Sequence, residues 1–288
     1  MYSANFDYYR ARSVAEATRL LADHPDAKVL AGGHSLLPTM KFRLAAPGAL
    51  VDIGGIRELA GITSSGDALH IGALTTHATV AASDVVGRDC AILAEAASVI
   101  GDVQVRNRGT IGGSLAHADP AADLPTVMFA LDATMTSTGP SGERRMPAAA
   151  FFVDLFTTGL QPGELLVSIT VPTYGKGTSG AYLKHRHPAS AYAVVGTAAL
   201  VEVKDGKCVR ASLAIGGVQV KPVRATAAEQ ALTGGFADEA GIFRAAEKVR
   251  EALTEPLGDL YASAEYRVHL ATVMARRALT LAVERARG

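Results

Sequence analysis

Two pairs of adjacent glycines, Gly32-Gly33 and Gly112-Gly113, limit what this chain can be more than any other feature. The first lies in "KVLAGGHSLLPTMKFR" (28–43), straight after a short apolar run. The second lies in "GTIGGSLAHADPAADLP" (109–125). Glycine has no Cβ, so two in a row let the main chain come close to another group and offer it bare N–H donors. A dinucleotide's diphosphate is well held in this way. The common single-segment solution is GxGxxG between strand and helix. Neither pair has that spacing, so a Rossmann reading fails. What remains is two separate segments, roughly 80 residues apart, able to grip one diphosphate from both sides. Either pair alone is more often just a tight turn.

The bulk numbers narrow the class. The length of 288 residues suggests one large or two ordinary domains, and the 49 % apolar content supplies a sizeable core. Basic and acidic residues both number 28, so the net charge is zero. A nucleic-acid or anionic-membrane surface needs a basic excess, and neither fits. Neutrality also favours self-association, in keeping with life inside a complex. Cys90 and Cys208 are the only cysteines and form no CxxC, which excludes a four-cysteine zinc site or a cysteine-held iron–sulfur cluster within the chain. Two free thiols fit a reducing, cytoplasmic setting. "MYSANFDYYRARS" has no apolar signal-peptide region, and no window has the run of apolar residues that an integral membrane segment needs.

Along the chain, "SVAEATRLLADHP" predicts a helix with Ser13 as N-cap, Glu16 completing a capping box and Pro25 as the stop. "KVLA" and "ALVDIGGI" read as strands, and "LAGITSSGDALHIGAL" as a hairpin. "DCAILAEAASVI" is a buried helix running into the polar stretch "GDVQVRNR". A hairpin turning at Gly139–Gly142 follows, then a strand closed by Pro172. "TYGKGTSG" (173–180) is the best boundary, giving domains at 1–176 and 177–288. Beyond it come long strands with an Asp205-Gly206 turn, then helices, the last with Val268, Ala271, Ala275, Ala278 and Ala282 as one stripe. The sum is a two-domain α+β protein.

The two glycine segments, in this order and separation, resemble the FAD-binding (medium) subunit of the molybdenum hydroxylases, the aerobic carbon monoxide dehydrogenase and xanthine dehydrogenase family. "VDIGGI", "IGALTTHATV", "PGELLVSITVP" and "YLKHRHPASAYAVVG" extend the resemblance over nearly the whole chain. It implies a two-subdomain FAD-binding domain of the vanillyl-alcohol oxidase type, followed by a smaller sheet-plus-helices C-terminal domain. Position by position, it implies a first diphosphate segment of Val29, Leu30, Ala31, Gly32, Gly33, His34, Ser35 and Leu36. The second is Thr110, Ile111, Gly112, Gly113 and Ser114. Ile100 falls where the family packs an apolar residue near the flavin. Asp123, Leu166 and Lys184 match further cofactor contacts, and Tyr192 lies in the stretch that approaches the isoalloxazine and limits access to it. "HRHPASAYAV" departs from the eukaryotic pattern, since it lacks the acidic pair that lines the nicotinamide approach.

Other polar residues carry bland and sharp readings side by side. His34 has no second ligand at i+3 or i+4, so a metal role is disfavoured against local hydrogen bonding or packing on the cofactor. Asp123 is either an N-cap for a helix starting near Pro125 or an FAD contact. His185, Arg186 and His187 read equally as a solvated strand end. Among these basic residues Lys184 is the one whose cation would stabilise reduced flavin or phosphate. Arg106 and Arg108 are cofactor contacts, partner contacts or plain surface.

No nucleophile–base pair is visible, which fits a chain that carries FAD and leaves catalysis to partners. The resemblance implies a large molybdopterin subunit that oxidises the substrate and a small iron–sulfur subunit with [2Fe–2S] clusters. This chain would pass electrons through FAD to quinone, NAD or oxygen, a quinone bringing the assembly to the inner face of the membrane. The assembly would be a dimer of heterotrimers. Carbon monoxide, a purine or other N-heterocycle, and an aldehyde are all open as substrates. The alternatives are a stand-alone flavin-dependent oxidase or reductase on the same fold, and an assembly module whose glycine pairs are only turns. On the diphosphate reading, Gly33→Val or Gly113→Val loses FAD with the fold kept.

Overall fold

Three main sheets carry the chain, of which the computed structural model describes residues 2–288. The first is parallel: β1 (Asp7–Arg10), β2 (Lys28–Leu30) and β3 (Ala49–Asp52), in the order β1-β3-β2. Parallel strands need crossover connections, and α1 (Val14–Asp23) carries the chain from β1 to β2, on opposite sides of β3. Ser13 caps α1 by accepting from the Glu16 amide at 3.2 Å. The return bond of the capping box is shifted by one residue, running from the Arg12 amide to Glu16 Oε2 at 2.8 Å. The short helix α2 (Leu36–Lys41) follows the first glycine pair.

A hairpin, β4 (Ile62–Ser65) and β5 (Ala68–Gly72), opens the second part. Six helices come next: α3 (His77–Ala81), α4 (Asp84–Asp89), α5 (Ala91–Ser98), α6 (Val103–Arg108), α7 (Ile111–His117) and α8 (Asp123–Ala130). Then follow β6 (Thr134–Gly139), β7 (Gly142–Pro147), the turn-length α9 (Ala148–Phe151), the small hairpin β8 (Phe152–Asp154) and β9 (Thr157–Thr158), and β10 (Leu165–Pro172). The antiparallel sheet has the order β4-β5-β10-β6-β7. Leu69, Ile71, Met135 and Ile169 on its inner face are wholly buried against Leu93, Leu124 and Met128 of the helices.

The third sheet is β11 (Thr178–Arg186), β12 (Ala193–Lys204), β13 (Lys207–Gly216) and β14 (Val223–Arg224), paired in that order. The β12–β13 turn has Asp205 and Gly206 at φ of 50° and 75°, the two left-handed residues that a type I′ hairpin requires. Helices α10 (Thr226–Leu232), α11 (Glu239–Glu247) and α12 (Ala264–Arg287) cover one face. Ala271, Ala275, Ala278 and Ala282 lie inside α12's stripe. The other face is covered by the preceding part of the chain, since Tyr182, Ala198, Leu200 and Ala214 belong to the same core as α5 and α8. A sheet buried on both faces explains why β12 reads as a continuous apolar run rather than an alternation.

Glycines allow the close approach of α8 to this sheet. A Cβ on Gly216 would lie 1.9 Å from Thr126 Oγ1. No helix of the described residues is long and apolar enough to cross a membrane.

Candidate functional site

The two glycine segments meet. A Cβ on Gly32 would stand 2.2 Å from the carbonyl oxygen of Arg108, the residue before Gly109, and one on Gly113 would stand 3.8 Å from the Ala31 Cβ. Gly32 is therefore glycine because the second segment's backbone lies against it. Gly33 has φ of 75°, which glycine alone adopts cheaply.

The segments differ in what they can offer a ligand. The second is already committed to protein. Residues 73–77, "ALTTH", form a bed under it: Ile111 N donates to Thr75 O at 2.9 Å, and Gly112 N to Ala73 O at 2.8 Å. The amide of His77 donates to Gly109 O at 3.0 Å. Gly113 N donates to the N-capping hydroxyl of Thr110 at 3.1 Å, and Ser114 N to Thr110 O at 3.0 Å. A Cβ on Gly112 would lie 2.5 Å from that of Ala73, so this glycine serves packing. In the first segment the reverse holds. Among the described residues, no protein acceptor takes the amides of Gly32, Gly33, His34 or Ser35. Four consecutive uncommitted N–H groups beside a preformed helix start are what an anion such as a diphosphate satisfies. The residues thus fit an FAD diphosphate, with the free backbone donors on the first segment.

His34 bonds locally, its Nδ1 lying 2.8 Å from Gly32 O. Val29 and Leu30 are strand residues paired with β3, and Leu36 opens α2. Ile100 is half-buried two residues beyond α5, its carbonyl accepting from Arg106 Nη1 at 2.9 Å. Leu166 is buried in β10, next to a register shift between Leu166 and Ser168. Tyr192 sits on the turn between β11 and β12. Its phenol faces Ser35 of the first segment, and burial together with the carboxylates of Asp119 and Asp123 raises it, the Ser35 contact opposing them. The β11–β12 turn therefore brings Tyr192 to the first segment.

The N-cap reading of Asp123 needs correction. The helix begins at Asp123 itself with Ala122 at the cap, so Asp123 caps nothing. Its carboxylate accepts from Tyr182 Oη at 2.7 Å and pairs with Lys184 Nζ at 2.9 Å. Both charged side chains are about as buried as core residues, 6 % and 5 % exposed. Burial holds the Asp123 carboxyl above the usual range against the pull of Lys184 and Tyr182. Lys184 thus faces a carboxylate and the Ala191 carbonyl, at 2.8 Å, rather than open space. His117 packs on Phe156 with ring centroids 5.1 Å apart, and Asp119 accepts from Ala121 N. His185 and His187 pack on Tyr261, so they are more than a solvated strand end.

His77 was not singled out by sequence. It is 4 % exposed, its ring lies against Gly109, and its Nδ1 is enclosed without a partner. Burial first, then the neighbouring Arg106 and His34, push it down to about 4 from 6.5. Below pH 6.5 the unfolded chain binds a proton that the native ring refuses, so stability is complete above that pH and declines as pH falls towards 4. The expected loss is about 3 kcal/mol. Denaturant melts of wild type and His77→Phe across that window check it: the variant should lose much less. The thiols of Cys90 and Cys208 are free, buried and pushed up to about 12 and about 11, so neither is a nucleophile at neutral pH.

A parallel subdomain and an antiparallel one, joined at two glycine segments and backed by a third sheet, define a two-part dinucleotide-binding flavoprotein. Residues 4–174 match the FAD binding domain in molybdopterin dehydrogenase, and residues 180–282 the CO dehydrogenase flavoprotein C-terminal domain. The chain belongs to the FAD-binding subunits of the molybdenum hydroxylase family, the carbon monoxide dehydrogenase and xanthine dehydrogenase type, and is an oxidoreductase subunit with FAD as its cofactor. It is 41 % identical to the 6-hydroxypseudooxynicotine dehydrogenase complex subunit alpha of Paenarthrobacter nicotinovorans, over 100 % of this chain and 97 % of that protein. It is 39 % identical to the carbon monoxide dehydrogenase medium chain of Afipia carboxidovorans, over the full length of both. Among solved structures, carbon monoxide dehydrogenase from Hydrogenophaga pseudoflava, in a form lacking the Mo-pyranopterin moiety, superposes with a TM-score of 0.96. That match has 40 % identity and covers 99 % of each chain.

Proposed function

We propose that this chain is the electron-transfer subunit of its complex, taking electrons from the [2Fe–2S] clusters of a small partner and passing them to an external acceptor. A large molybdopterin subunit would carry out substrate oxidation. Bound FAD supplies the redox chemistry, since a flavin accepts and releases electrons singly or in pairs. The chain's own work is to grip and orient. The amides of Gly32 to Ser35 would donate to the diphosphate, and Gly113 would leave room for it. Ile100 would pack on the flavin, and Tyr192 would cover the entrance. The division at 176/177 then separates the gripping domain from the one that supplies the cover.

The observation that carries this reading is the run of uncommitted amides at Gly32–Ser35, held against a second segment that needs no ligand to keep its shape. Purified alone, the chain is expected to be yellow and to release stoichiometric FAD on denaturation. Substrate should leave that flavin oxidised until the partner subunits are added. Bleaching by substrate without partners would mark a stand-alone oxidase instead. Gly113→Val should lose FAD at unchanged far-ultraviolet circular dichroism. It is a cleaner probe than Gly33→Val, because its Cβ meets only the Thr110 hydroxyl closely, whereas Gly33 needs its positive φ.

A further inference from the structure

The turn between β11 and β12 is held from beneath by a charge. Lys184 has three ammonium protons, and three acceptors surround it: both carboxylate oxygens of Asp123 and the carbonyl of Ala191, the residue before Tyr192. Tyr182 Oη also donates to the carboxylate. Ala191 is 6 % exposed and has φ of 63°, an unfavourable conformation for a residue with a Cβ. Such a residue persists only where its surroundings over-determine it. Here the charge-assisted bond to its own carbonyl does so, together with Ala191 N donating to His187 O and His187 N donating to Tyr192 O.

We infer that Lys184 is a positioning residue: the buried Asp123–Lys184 pair holds residues 187–192 so that Tyr192 lies against Ser35, and thereby governs access to the first glycine segment. Lys184 acts on the turn through Ala191. Without the ammonium, Ala191 relaxes to negative φ and the peptide that aims Tyr192 turns. What passes the entrance rests on the FAD reading above; the hold on the turn does not.

Hydrogen exchange on the full, flavin-free chain tests the hold directly. Lys184→Met is one variant. Asp123→Asn/Lys184→Met is the second, so that no unpaired buried carboxylate compromises folding. Exchange of the amides of residues 187–193 should rise by about tenfold or more, the worth of one charge-assisted hydrogen bond, with residues 195–203 of β12 unchanged. Unchanged exchange in the turn, or an equal rise throughout the sheet, overturns the inference. On FAD-loaded chain, the double variant and Tyr192→Ala should each speed FAD release, and their combination should release no faster than Tyr192→Ala alone. Additive effects also overturn it. A wild-type chain that takes up no FAD sinks the cofactor reading, while the exchange result, obtained without cofactor, still decides the role of Lys184.

Discussion

Gly32→Ala, a single added methyl, is expected to abolish FAD binding and to cost about 3 kcal/mol, the upper end for overpacking a rigid site. The Cβ would stand 2.2 Å from the Arg108 carbonyl oxygen and 2.9 Å from the Gly109 Cα. All these neighbours are backbone, so no rotamer change relieves the clash. The Arg108–Gly109 backbone is itself fixed, because Gly109 O accepts from His77 N and a Cβ on Gly109 would strike the His77 ring. The first segment must therefore move away, taking its amides with it. Denaturant melts and FAD titration of the purified variant read both effects. Gly113→Ala makes the contrast: its close neighbour is a hydroxyl, so the stability loss should be that of a weakened cap, about 1 kcal/mol.

The second large effect concerns the buried pair. Lys184→Met alone should destabilise the protein by about 3–5 kcal/mol, because it leaves a carboxylate enclosed with only Tyr182 as donor. Asp123→Asn/Lys184→Met should cost much less, since a neutral amide oxygen still accepts from Tyr182 while the methionine fills the lysine's volume. Equilibrium unfolding of the single and double variants measures the difference. If both lose equally, the destabilisation comes from packing and not from charge.

The sequence patterns that proved readable were local ones. Ser13 with Glu16 marks a helix start because both groups lie within one turn, and Asp205-Gly206 marks a hairpin because only two residues set its geometry. The apolar stripe of α12 is legible for the same reason. "VQVRNR" reads as a polar connector but is helix α6, since a short helix with no buried residue carries no amphipathic period. The second glycine pair reads as a loop, yet it forms the first turn of α7, with Thr110 at the N-cap.

At the site, sequence locates the two segments but not how the work is divided between them. That depends on "ALTTH", whose carbonyls take the second segment's amides across more than 30 residues of chain. The Asp123–Tyr182–Lys184 contacts span about 60 residues, so no periodicity reports them. His77 offers a sequence signal only in retrospect: its imidazole stands beside a glycine of the other segment, a pairing that requires the fold to be known.

The bed at residues 73–77 has a consequence for how the protein is loaded. Because it holds the second segment's amides without any ligand, flavin uptake is expected to leave that segment's fold unchanged. Maturation can then run in sequence, with a finished apoprotein waiting for its prosthetic group, and a shortage of flavin would leave a pool of correctly shaped, colourless chains rather than misfolded ones.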